Sequence, residues 1–80
     1  MSREELAAKI IEFAAIAYNA DAASITEETN LSDLGVQSMQ RVALSASIEN
    51  EYDVMIPVAT IGKFKTVAEL IDYVMEEAEE

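Results

Sequence analysis

Asp33-Leu34-Gly35-Val36-Gln37-Ser38-Met39 is where a polar, aperiodic stretch gives way to helical periodicity. Upstream, residues 20–36 gather Asp21, Ser24, Thr26, Thr29, Asn30, Ser32 and Asp33. Such short polar side chains bond to nearby backbone and favour loops. The loop is long, and long loops need anchors or a function; Ile25, Leu31 and Leu34 can supply the anchors. Gly35 adds a flexible position just before the change. Downstream, the spacing predicts a helix from Ser38 to about Tyr52. Met39, Val42, Ala43, Ala46 and Asn50 share one face of it, and Leu44, Ile48 and Tyr52 share another. Apolar groups on two faces imply a helix that meets both the core and something else. Taken alone, a serine where a loop meets a helix reads as an N-cap.

The flanking segments are helical too. From Ser2 to Asn19, Leu6, Ile10, Phe13, Ala14 and Ala17 recur at helical spacing, widened by Ile11 and Tyr18. Ser2 and Glu5 open this segment in capping-box spacing. Asp53 to Ile56 reads as an extended turn. Pro57 fits the first position of a short helical turn ending near Gly62. Thr66 and Glu69 repeat the capping-box spacing, and Val67, Leu70, Ile71, Val74 and Ala78 form the buried stripe of the last helix. Glu76, Glu77, Glu79 and Glu80 crowd its C-terminus, where the helix dipole disfavours negative charge, so this end should fray. No internal repeat or linker interrupts the chain. The expected fold is all-α: a small bundle of four helices, three long and one short, with a long first loop, forming one domain over residues 1–80.

Composition then excludes whole classes of chemistry. Eighty residues leave room for one small core. Cysteine and histidine are both absent, which removes a Ser-His-Asp triad, a Cys-His pair and the usual zinc ligand sets. Thiol chemistry could reach this chain only on an attached group or a partner. The carboxylate pairs Glu27–Glu28 and Glu76–Glu77 could bind metal or act as acid and base, but adjacent helical residues do not face one another, and a solvated surface explains them. No EF-hand loop matches, and Gly35 and Gly62 are too few for a phosphate-cradling loop. Neither catalytic residues nor a metal site are expected. Five basic against 16 acidic residues give a net charge of −11. That surface repels nucleic acid and anionic lipid and favours basic patches on other proteins. Met1-Ser2-Arg3-Glu4-Glu5 lacks the order of a signal peptide, and no apolar run could span a bilayer. A cytoplasmic monomer without membrane insertion is the expectation.

Taken together, the chain resembles an acyl carrier protein, a family whose signature is D-L-G-x-D-S-L opening the second helix. Here it stands as Asp33-Leu34-Gly35-Val36-Gln37-Ser38-Met39. The likeness continues through Glu49-Asn50-Glu51-Tyr52-Asp53, Ile56-Pro57, Thr66-Val67-Ala68-Glu69-Leu70 and Ile71-Asp72-Tyr73-Val74, covering nearly the whole chain. The resemblance implies a carrier, not an enzyme. Ser38 would bear a covalent 4′-phosphopantetheine arm, whose terminal thiol holds acyl groups as thioesters. It also implies a phosphopantetheinyl transferase as partner, together with acyl-loading ligases, transferases or condensing enzymes. A phosphodiester on Ser38 would sit at a helix N-terminus, which favours anions. Met39, Val42, Ala46, Ile56 and Ile61 match family positions near the arm that can meet partners. Ala43, Ala46 and Ser47 could open a cleft for an acyl chain, or simply permit tight helix packing.

The departures are as informative. The family usually carries Asp before the serine, Leu after it and several acids along the second helix. This chain has Gln37 and Met39, with Gln40, Ala43 and Asn50 at acidic positions where only Glu49 and Glu51 remain, and Arg41 as the one charged residue between Gln37 and Ile48. Complementary charge sets encounter rate and partner choice. Gln37, Gln40 and Arg41 therefore join the expected partner contacts, and the reading is a carrier specialised for a dedicated pathway (fatty acid, polyketide or related). The alternatives are a housekeeping carrier of fatty acid synthesis and an unmodified helical adaptor in which Ser38 is only a cap.

Overall fold

The computed structural model describes residues 2–78. Three long helices, α1 (Arg3–Tyr18), α3 (Ser38–Tyr52) and α5 (Val67–Ala78), make the bundle. Two four-residue helices, α2 (Leu31–Leu34) and α4 (Val58–Ile61), lie between them, and a 3₁₀ turn covers Ala22–Ser24. Among the described residues there is no strand, and no helix is long and apolar enough to cross a membrane.

Each long helix starts and stops for local reasons. Ser2 Oγ accepts the Glu5 N–H at 3.1 Å. Glu5 answers by accepting from the Ser2 hydroxyl, so only half of the expected reciprocal cap forms. At α5, Thr66 Oγ accepts from Glu69 N–H at 3.4 Å, while the Glu69 carboxylate reaches the Lys65 amide at 3.2 Å. α1 and α3 both stop on left-handed residues, Asn19 (φ 55°) and Asp53 (φ 57°), types whose short polar side chains tolerate that region. Pro57 is the residue before α4 and not its first, one position earlier in the turn than the spacing predicts. Glu76 and Glu77 lie within α5, whereas Glu79 and Glu80, on which the expected fraying also falls, lie outside the described residues.

α1 lies against both α3 and α5, and α4 covers α3. The core joins Leu6, Ile10 and Ala14 of α1, Leu44 and Ile48 of α3, and Val67, Leu70, Ile71 and Val74 of α5, each fully enclosed. Phe13 and Ala17 sit at its edge. The long loop is anchored as expected through Ile25 and Leu31, which are buried, and Leu34, which is half-buried. Backbone bonds complete the attachment: Leu31 N–H donates to Lys65 O, Val67 N–H to Thr29 O and Ala68 N–H to Glu27 O. The last two satisfy amides at the start of α5 that have no partner within their own helix. Arg3 adds α1 to this attachment, pairing with Glu27 of the loop at 2.7 Å and with Asp72 of α5.

Packing overturns one sequence expectation and decides against one open alternative. Ile56 and Ile61 are each about 1% exposed, filling the joint between α3 and α4, so they cannot meet a partner. Ala43 and Ala46 face solvent and do not line a cleft between helices; of the three small residues only Ser47 is half-buried.

Candidate functional site

The first turn of α3 is held by its neighbours on both sides. Gln37 is extended (φ −79°, ψ 139°) and stands in the cap position. Its carbonyl accepts from Gln40 N–H at 3.1 Å and from Arg41 N–H at 3.3 Å. The Gln40 side chain folds back and accepts from the Gln37 amide at 3.2 Å. Ser38 is therefore the first helical residue and not the cap. The capping reading of this serine is wrong by one position, because Gln37 turns the chain and Gln40 secures it. Ser38 stays exposed, and its hydroxyl is spared from the cap.

Gly35 has a spatial purpose. Its backbone is extended, with φ 168°, a conformation open to any residue. A Cβ there would collide with Gln40 Oε1, so glycine leaves room for the side chain that secures the cap.

Around Ser38 the apolar groups point outward. Met39 is 82% exposed, Val36 63% and Val42 51%. Ala43 and Ala46 extend this face, which is the one the periodicity separates from Leu44 and Ile48. Met39 is thus a surface residue and not core filling. Val36 belongs to the same patch and escaped the sequence reading, since it lies outside the helix whose spacing marks a face. Gln37 is exposed and Gln40 half-buried. Ser45 anchors α3 from its other side, donating to the Ile56 carbonyl at 2.6 Å.

Arg41 points elsewhere. It is half-buried, and its guanidinium lies where a Cβ on Gly62 would meet it at 3.2 Å. It also stands near Tyr18, whose hydroxyl is pushed above its usual range by burial, with Arg41 opposing the shift. Among the described residues, the ion pairs all belong to Arg3 and Arg41 has none. The first turn of α3 contains no acid.

Known proteins match this sequence along most of the chain. A family model described as the phosphopantetheine attachment site covers residues 5–74. An acyl carrier protein of Porphyromonas gingivalis is 34% identical over 71 residues, spanning 88% of this chain and 91% of its own. Those of Rickettsia typhi and Lactobacillus acidophilus are each 36% identical. The first covers 91% of this chain and 86% of its own length, the second 92% and 94%. The chain belongs to the acyl carrier protein family. Its members are carriers and not enzymes, and the prosthetic group of the family is covalent 4′-phosphopantetheine. The residues of this acyl carrier suit that group. An exposed hydroxyl on the first residue of a 15-residue helix lies beside amides that lack intrahelical partners, and no carboxylate of that turn opposes an anion there. A phosphodiester on that hydroxyl would meet the positive end of the helix dipole.

Proposed function

We propose that Ser38 is the site at which this chain, acting as one domain over residues 1–80, receives its 4′-phosphopantetheine arm, and that the carrier serves a dedicated biosynthetic pathway. The observation that carries the attachment site is the exposed Ser38 hydroxyl, left out of the cap at the head of a long helix. When bound, the arm supplies a thiol that carries acyl groups as thioesters. The chain's own residues hold the serine in place: Gln37 and Gln40 fix the turn, and Gly35 makes room for them. Ser38 acts as acceptor for a phosphopantetheinyl transferase and is not activated here. Acyl-loading ligases, transferases or condensing enzymes complete the partner set. The setting is a cytoplasmic monomer.

The specialised reading rests on the acid-free first half of the outer face of α3, with the exposed acids Glu49 and Glu51 confined to its last turns. Val36, Met39 and Val42 are exposed beside Ser38, with Gln37, Gln40 and Ala43 where the family usually presents acids. Expression beside a broad-specificity transferase, followed by intact mass, tests the attachment. The parent chain gains the mass of one arm and Ser38→Ala gains none. A chain that stays unmodified is the helical adaptor. A loaded chain that condensing enzymes of fatty acid synthesis use as fast as their own carrier is a housekeeping one.

A further inference from the structure

We propose that Arg41 holds the phosphodiester of the arm against the first turn of α3, so that this carrier grips the root of its prosthetic group. The inference rests on Ser38 as the attachment residue. Ser38 and Arg41 are three residues apart on one helix, a spacing that makes side chains neighbours on its surface. Arg41 is half-buried without an ionic partner among the described residues, although the chain has 16 acids against five bases. A guanidinium so placed keeps its donors available, and a phosphodiester is a planar fork's natural acceptor.

Three features of one turn work in the same direction. Gln37 and Gln40 bring no negative charge to the head of the helix, and Arg41 brings a positive one. With the unpaired amides of α3, they give the anion a positive surround inside a chain of −11. Gly62 sets the starting point: its missing side chain leaves room for the guanidinium over the end of α4 in the unmodified chain. Reaching the phosphodiester requires rotation about the arginine's own torsions, with no change of backbone. The arm would then leave the protein with its first atoms ordered, and only the pantetheine beyond the phosphate would swing freely.

The test compares isotope-labelled chain before and after loading with coenzyme A and a broad-specificity transferase, with loading verified by intact mass. The Arg41 Nε–H resonance is expected to move on loading, while that of Arg3 stays in place. The loaded chain should melt about 2–6 °C above the unloaded one at low salt, with the difference shrinking as salt is added. Arg41→Gln should remove the difference, and Arg41→Lys should retain part of it. If Arg41 only packs on Gly62, its replacement lowers both forms equally and preserves the difference. That result, or an Arg41 resonance unmoved in a chain whose mass shows the arm, overturns the proposal. The resonance is read on the unaltered chain, so the answer does not depend on a variant that folds. No mass gain at all refutes Ser38 as the attachment site instead.

Discussion

Gln37 and Gln40 divide between them the work that one capping serine does elsewhere, and Ser38 is left out of it. Because the cap bonds run between Gln37 and Gln40, losing the Ser38 hydroxyl should cost little. We expect Ser38→Ala to melt within about 0.5 kcal/mol of the parent, the range of surface changes away from caps and cores. Gln40→Ala removes the acceptor of the Gln37 amide and should cost about 0.5–1.5 kcal/mol. Urea unfolding of the two variants checks the contrast, and a larger loss in Ser38→Ala would return the cap to the serine. Tyr18 sets a second expectation at this scale. Burial raises its folded pKa above the ordinary value of 10.0, and Arg41 only partly opposes this. Folding then favours the protonated phenol. This contribution is fully present below the unfolded pKa and is lost as pH climbs toward the folded value. Tyr52 is raised in the same direction, by burial first and then by Glu51 and Glu5. Stability should therefore fall above about pH 10, and Tyr18→Phe should flatten that decline. Urea midpoints across the alkaline range would show it, and identical slopes for parent and variant would remove Tyr18 as the cause.

At the scale of elements, α3 has two faces with separate duties. Leu44 and Ile48 are sealed in the core, and Met39, Val42, Ala43 and Ala46 lie outside. A transferase with a basic docking groove meets no carboxylate on those four residues, and only Glu49 and Glu51 farther along the helix remain to attract it. Restoring charge through Gln37→Asp, Gln40→Glu and Ala43→Glu should speed loading about three- to tenfold at low salt, since each exposed pair is worth about 0–1 kcal/mol. Glu is the choice at position 40 because it keeps the reach that secures the Gln37 amide. Initial loading rates against ionic strength decide it. Equal rates at low salt would mean that α3 charge does not select partners, and the housekeeping reading would follow. The same helix shows what its residues reveal unaided. Its span and its two faces follow from spacing, because a 3.6-residue period repeated over four turns is a strong signal. A four-residue helix such as α2 repeats nothing, and it is held by backbone bonds from Leu31 N–H to Lys65 O and from Val67 N–H to Thr29 O, which join segments far apart along the chain. Ile56 and Ile61 fail for a related reason. Single isoleucines in an aperiodic connection mark no face, and only the packing of α4 on α3 encloses them. The position of Ser38 at the helix start was legible from its motif, but its release from capping depends on a glutamine folding back over Gly35.

At the scale of the whole molecule, charge opposes compaction. Eleven uncompensated negative charges share a body measuring 30 × 24 × 19 Å. The screening length is about 30 Å at 0.01 M salt, so every carboxylate then feels every other. At 1 M it is about 3 Å, and the repulsion is confined to immediate neighbours. Attraction offsets little of this, since the ion pairs among the described residues converge on Arg3 alone. Those pairs are themselves exposed, and each is worth about 0–1 kcal/mol. Added salt weakens them too, but it weakens the far more numerous like-charge contacts at the same time. The net effect should be a melting temperature that rises steadily with salt. A thermal series in sodium chloride, repeated in magnesium chloride at matched ionic strength, separates screening from binding. Screening predicts smooth curves of the same sign, steeper for the divalent ion because counterion charge concentrates near carboxylates. A step that saturates at one equivalent of magnesium would contradict screening and require a defined metal site. A melting temperature flat across both series would mean that self-repulsion contributes nothing to the stability of this carrier.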